Sequence, residues 1–207
     1  MLGCVLAALT VSGCLAGADQ GSESMELETG DWGVIEVLPG PDEESAAFFS
    51  RDPTLLTTSL VLAGDEQVVL SPPGTHTRAA AWMPSGEQML VAYADGLSGS
   101  NPTRFALVDL DGEVERQFPI VEDLNASFGM AVSPDGRRAI FPAQDLGPND
   151  EEGDLWSLDL ESGHVEVLEL RGADPGVQQH PVFVDDERVA FGAGELSWEF
   201  GGPNGWI

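Results

Sequence analysis

A chain of 207 residues with 42% hydrophobic content is long enough for one or two domains with a sizeable core, which excludes disorder throughout. Its 36 acidic residues against 8 basic ones, all arginine, leave a formal net charge of −28. That balance repels phosphate backbones and anionic lipid head groups, so nucleic acid is not an expected partner; the acids are scattered and read as a solvated surface suited to salt.

Residues 1–13, MLGCVLAALTVSG, form an uncharged apolar run. It is shorter than the roughly 20 residues needed to span a bilayer, so a signal peptide is the better reading and a buried apolar segment the alternative. No Lys or Arg precedes Arg51, so the positively charged opening of such a signal is absent. The run ends in Val11-Ser12-Gly13-Cys14. That tetrad resembles the lipobox of bacterial lipoproteins, and the resemblance implies lipidation of Cys14 and attachment to a membrane. Cleavage before Cys14 would remove Cys4 and leave no thiol for a disulfide or zinc site; a Cys4–Cys14 disulfide is the alternative. Residues 15–30 are polar and small, as in a tether.

Beyond residue 30 the chain reads as short strands. Residues 32–38, WGVIEVL, are an expected inner strand, and residues 59–70, SLVLAGDEQVVL, an expected outer hairpin of the same unit. Residues 80–91, AAWMPSGEQMLV, then align without gaps on residues 130–141, MAVSPDGRRAIF, and on residues 180–191, HPVFVDDERVAF. The offset is fifty residues each time. Residues 105–110, FALVDL, align in the same register on residues 155–160, LWSLDL, and Trp156 has its counterpart in Trp206. In the clearest copy an apolar strand over 129–133 runs into Pro134-Asp135-Gly136, a turn by residue type. Residues 138–142, 155–160 and 165–170 supply three further strands, with Glu161-Ser162-Gly163 turning the last two.

A four-stranded unit repeated in tandem is the signature of a β-propeller. A β-sandwich would also give short strands, but not the same turn at a constant spacing. Residues 133–141 followed by 154–159, SPDGRRAIF and DLWSLD, resemble the repeat of TolB-like propellers, a group related to WD-repeat proteins. The first copy departs with Met83-Pro84-Ser85-Gly86 and the third with Val184-Asp185-Asp186-Glu187. The expected architecture is therefore an all-β, TolB-like propeller of four-stranded blades, incomplete, with three to four blades present. The blades are expected at about 31–70, 77–120, 127–170 and 177–207, the last truncated, after the signal at 1–14 and the linker at 15–30.

Catalytic patterns are absent from the sequence. There is no G-x-S-x-G pentapeptide, and Gly96-Leu97-Ser98-Gly99 reads as a loop. His76, His164 and His180 lack metal-ligand spacing and read as turn or surface residues. Residues 145–154, DLGPNDEEGD, are rich in oxygen ligands but lack the spacing of a calcium loop. Asp109 and Asp159 occupy equivalent turns, Asn125-Ala126-Ser127 is a sequon of little weight, and no phosphate-binding glycine run occurs. The expectation is a non-catalytic envelope lipoprotein, without cofactor or metal, held to the membrane on its outer side through Cys14 and presenting its propeller to a protein or ligand. Two alternatives follow from the resemblance. One is the N-terminal propeller of a prolyl oligopeptidase-like hydrolase, and the other is a TolB-like component of an envelope protein complex.

Overall fold

The computed structural model describes residues 33–42, 45–51, 57–63, 67–96, 101–121, 124–126, 129–145, 154–168 and 177–194. These residues form fifteen strands and no helix, arranged in four antiparallel sheets that follow one another along the chain. The first sheet runs β1 (Gly33–Pro39), β2 (Ala46–Arg51), β3 (Thr58–Leu62) and β4 (Val68–Val69). The second repeats the meander with β5 (Thr75–Trp82), β6 (Gln88–Asp95), β7 (Arg104–Asp109) and β8 (Val114–Gln117). In the third, β9 (Leu124–Ala126) and β10 (Ala131–Val132) both pair with β11 (Arg138–Asp145), followed by β12 (Asp154–Asp159) and β13 (Val165–Val167). The fourth holds β14 (Val177–Phe183) and β15 (Val189–Gly194).

Successive sheets pack face to face, which is why their middle strands are apolar on both sides. Along β6, Met89, Val91 and Tyr93 enter the core shared with the first sheet, together with Phe49 and Leu60. Leu90 and Ala92 point the other way, into the core shared with the third sheet. A strand buried on both faces reads as a continuous apolar run instead of an alternation. The second core is centred on Phe105 of β7 and Phe141 of β11, whose ring centroids lie 4.8 Å apart at 48°. A tilted aromatic pair of this kind adds about 1 kcal/mol to the roughly 2–3 kcal/mol that burying each ring contributes.

The expected inner strand over 32–38 is β1, and the expected outer hairpin is β3 and β4. Between them lies β2, whose sequence AAFFSR gives no strand signal by alternation because Phe48 and Phe49 are both buried, on opposite faces. The strand expected over 129–133 is shorter: the chain pairs at β9, leaves the ladder, and pairs again at β10.

The fourth sheet departs from the gapless repeat. Ala81 pairs with Leu90 and Ala131 with Ile140, so the repeat places residue 181 opposite Ala190; the structure places Val182 there. The cause is the turn. Met83 and Ser133 each donate from the backbone to a carbonyl five residues on, at Gln88 and Arg138, whereas Val184 donates to Arg188, only four residues on. The turn lacks one residue, so β14 is slipped by one against β15 at Val182 and Phe183, and a one-residue slip exchanges the faces of a strand; beyond the bulge Gln179 lies opposite Gly192, the register of Ala79 opposite Ala92.

Candidate functional site

The first strand of each described sheet is interrupted. Register shifts fall between Val34 and Glu36 in β1, between Thr77 and Ala79 in β5, and between Gln179 and Val182 in β14, while the third sheet has the break between β9 and β10. An extra residue unpairs locally and re-aims its side chain. In β14 the displaced residue is His180, which is exposed and has φ of 50°, the one positive value for a non-glycine residue among the described residues. Gly129, with φ of 91°, makes room for it: a Cβ there would lie 3.0 Å from His180 Nδ1 and 3.1 Å from its Cα. Burial pushes the Glu36 carboxyl in β1 above its ordinary value, and the His180 imidazole partly offsets that rise.

A second polar group closes the seam between the first two sheets. The Thr58 amide donates to His76 Nδ1 at 3.0 Å, the Leu60 amide donates to Ser71 Oγ at 2.6 Å, and Ser71 Oγ shares a 2.5 Å hydrogen bond with Thr77 Oγ1. Burial holds the His76 imidazole below its ordinary value, with Arg78 and Arg51 acting in the same direction. Arg78, 6% exposed, sits at the β5 bulge and donates from Nη1 to Thr103 Oγ1 at 2.9 Å; that oxygen also accepts the Ala126 amide at 2.9 Å. These contacts tie the second sheet to the third. Desolvation lowers the Arg78 pKa.

The turns form two rows. In the inner row, the site of a Gly86 Cβ is 2.7 Å from Pro41 Cγ, that of Gly136 is 3.7 Å from Pro84 Cδ, and the Asp135 amide donates to Asp186 Oδ1 at 3.1 Å. Arg138 also donates to the Asp186 carbonyl. In the outer row, Gly112 meets the Val69 carbonyl and Gly163 meets Pro119, while Arg116 donates to the carbonyls of Leu160 and Glu161 at 2.7 Å each. The turns of one sheet thus buttress those of the next. Inside the turns, Asp135 Oδ1 accepts the Ser133 hydroxyl and the Arg137 amide, and Asp159 Oδ1 accepts the Ser162 hydroxyl and amide. Those bonds hold both carboxyls below their ordinary range, and Asp185 is held down in the same way by Arg188.

The expected lipidation site, Cys14, lies outside the described residues, as do the linker at 15–30 and residues 146–153 of the acidic loop. Asp109 and Asp159 occupy the equivalent hairpin turns expected of them. His164 is exposed beside its turn. His76 is not a surface residue: β5 carries it into the seam, where a sequence reading has no signal for the Thr58 amide from another strand. Among the described residues no three His, Cys, Asp or Glu side chains gather as a metal site, and no helix is long and apolar enough to cross a membrane.

The sequential four-stranded sheets, packed face to face with their turns in register, define a β-propeller. The chain has the TolB-like propeller fold, and its described residues supply two four-stranded sheets, a third in which β9 and β10 share the place of one strand, and two strands of a fourth. It is similar to TolB from Acinetobacter baumannii, with a TM-score of 0.57 and 18% identity over 86% of this chain and 42% of that one. It is likewise similar to a putative TolB from Agrobacterium tumefaciens, with a TM-score of 0.56 and 14% identity over 86% of this chain and 68% of that one. An oligogalacturonate lyase in complex with manganese matches with a TM-score of 0.57 and 20% identity, over 82% of this chain and 47% of the lyase. At these identities the likeness is one of fold, and the chain spans less than half of the first and third structures. No family model matches the sequence, and no curated protein does.

Proposed function

We propose that this protein is an envelope lipoprotein, anchored through Cys14, whose propeller is a non-catalytic scaffold for a protein or small ligand. One observation carries the scaffold reading: a set of buried polar side chains in the described blades joins one blade to the next. His76, Ser71 and Thr77 join the first sheet to the second, and Arg78 and Thr103 the second to the third. Such groups give a rigid array of blades whose exposed turns can present a binding surface. The likeness to two TolB structures supports an envelope role. Anchoring rests on the lipobox resemblance and the polar stretch that follows it.

The test is metabolic labelling with a radioactive fatty acid in a bacterial host. Label should appear in the wild-type protein and vanish in Cys14→Ala; absence of label, or label indifferent to the substitution, defeats the anchor. A catalytic reading is favoured by the likeness to oligogalacturonate lyase. Purified protein with manganese and oligogalacturonate distinguishes the two, since consumption of the substrate would replace the scaffold reading with an enzymatic one.

A further inference from the structure

The described arginines differ in what holds them. Arg104, Arg137 and Arg188 pair with Asp95, Asp135 and Asp185. Arg116 and Arg138 donate to backbone carbonyls of the next sheet, and Arg78 donates to Thr103. Arg51, the last residue of β2, is exposed, and among the described residues its guanidinium has neither an ion pair nor a hydrogen-bond acceptor. With 36 acidic residues in the chain, a guanidinium without a carboxylate is the exception.

The groups around it are cations and donors. Strand alternation puts Arg51 on the face of β2 that carries Ala47 and Phe49 toward the second sheet. It pairs across the ladder with Thr58, the Thr58 amide donates to His76 Nδ1 at 3.0 Å, and Arg78 follows two residues later at the β5 bulge. Because Nδ1 accepts, the neutral ring carries its proton on Nε2. That N–H has no acceptor among the described residues and remains open to solvent. Asp95, the carboxylate on the adjoining strand, is taken up by Arg104 at 2.8 Å. Both Arg78 and Arg51 lower the His76 pKa, and no carboxylate offsets them. The cations are graded in depth, with Arg51 exposed, His76 half-buried and Arg78 buried.

We propose that this end of the seam between the first two sheets binds an oxyanion, the carboxylate or phosphate group of a small ligand, between Arg51 and His76. The guanidinium offers a planar fork of N–H donors that matches either group, and His76 Nε2 adds another donor. Arg78, fixed by its bond to Thr103, adds charge from a buried position where water screens it little. Over the rest of the surface a net charge of −28 repels anions, so the cluster selects the place at which one can bind. Such a ligand is what the proposed scaffold would hold, and the site rests on the scaffold reading.

The test titrates the 207-residue chain, carrying Cys4→Ala and Cys14→Ala, with inorganic phosphate and separately with malonate, at neutral pH and an ionic strength held constant with sodium chloride. Calorimetry should show saturable binding of at least one anion with a Kd of about 1 mM or tighter, and the tighter of the two separates a phosphate ester from a carboxylic acid as the ligand. Arg51→Ala should weaken binding about ten-fold, whereas Arg137→Ala, at an exposed arginine already paired with Asp135, should not. In the chain with both arginines intact, the His76 ring resonances should move on saturation while those of His164 stay. No saturable binding of either anion, equal weakening by the two substitutions, or equal movement of both histidines would overturn the site. Consumption of oligogalacturonate would overturn the scaffold reading and leave these titrations as they are, so the two failures can be told apart.

Discussion

Ser71 and Thr77 share a hydroxyl–hydroxyl hydrogen bond of 2.5 Å at the seam between the first two sheets, and Ser71 Oγ also accepts the Leu60 amide at 2.6 Å. Both side chains are buried, at 8% and 0% exposure. Ser71→Ala leaves the buried Leu60 amide without its acceptor and the buried Thr77 hydroxyl without its partner, a loss of about 2 kcal/mol, and Thr77→Val removes one bond and about 1 kcal/mol. Urea unfolding measures both, and the larger shift of midpoint is expected for Ser71→Ala. Equal or negligible shifts would show that the seam is held by packing alone.

The turn rows give a second, steric prediction. Gly136 and Gly163 have φ of 70° and 77°, so alanine strains the backbone at either position by about 1 kcal/mol. The difference between them is space. A Cβ at Gly136 would be in ordinary contact with Pro84 Cδ at 3.7 Å, but one at Gly163 would be 2.7 Å from Pro119 Cδ in the preceding blade. Gly163→Ala should therefore cost about 3 kcal/mol and loosen the contact between the second and third blades, against about 1 kcal/mol for Gly136→Ala. Thermal unfolding of the two variants side by side checks the order.

Much of this organisation was legible before the structure because turn chemistry is local. Pro134-Asp135-Gly136 and Asp159-Leu160-Glu161-Ser162-Gly163 specify their turns through their own side chains, so the fifty-residue register of the blades could be read directly. Interactions between strands distant in sequence carry no such mark. The β2 strand is hidden because Phe48 and Phe49 serve two faces at once, and His76 is hidden because its partner lies eighteen residues away. The slip of β14 is hidden for another reason: Val-Phe-Val remains apolar in either register, and only the length of the turn decides which residue faces which blade.

His76 makes the first seam sensitive to mild acid. Its Nδ1 accepts the Thr58 amide, which only the neutral ring can do, and burial depresses its pKa below the ordinary 6.5, with help from Arg78 and Arg51. A histidine whose folded pKa is depressed contributes stability that is present above 6.5 and is lost as pH falls through the folded value. Wild type should be more stable than His76→Ala at neutral pH, with the gap narrowing below pH 6.5. Chemical unfolding of both proteins across that window measures it; a gap that stays constant would mean that the imidazole acts there only as a space-filling ring.

Asp159 should show its transition at lower pH. The Ser162 hydroxyl and amide and the Glu161 amide hold its carboxyl below the ordinary 3.8. A depressed carboxyl contributes stability above its unfolded value and loses it as pH falls through the folded one, so the effect belongs to the region below about pH 4. Asp159→Asn should be less stable than wild type at neutral pH and converge on it in acid. A carboxyl shift in the NMR titration of the folded protein locates the folded pKa; a value at or above 3.8 would remove the turn bonds as its cause.

The net charge of −28 acts on the whole array, and its sign can be separated from the local contacts. Folding concentrates like charges, so self-repulsion opposes the compact state, and raising salt from low ionic strength to about 1 M shortens the screening length from tens of ångströms to about 3 Å. Screening reaches the exposed carboxylates but not the buried seam of Ser71, Thr77 and Arg78, which lies out of contact with solvent ions. Melting temperature should therefore rise by several degrees with sodium chloride, and the rise should persist in Ser71→Ala. Chloride separates this from sulfate, which stabilises most folded proteins by exclusion from their surface. A melting temperature that falls with chloride would mean that exposed ion pairs such as Arg104 with Asp95, at 2.8 Å, outweigh the repulsion among the acids.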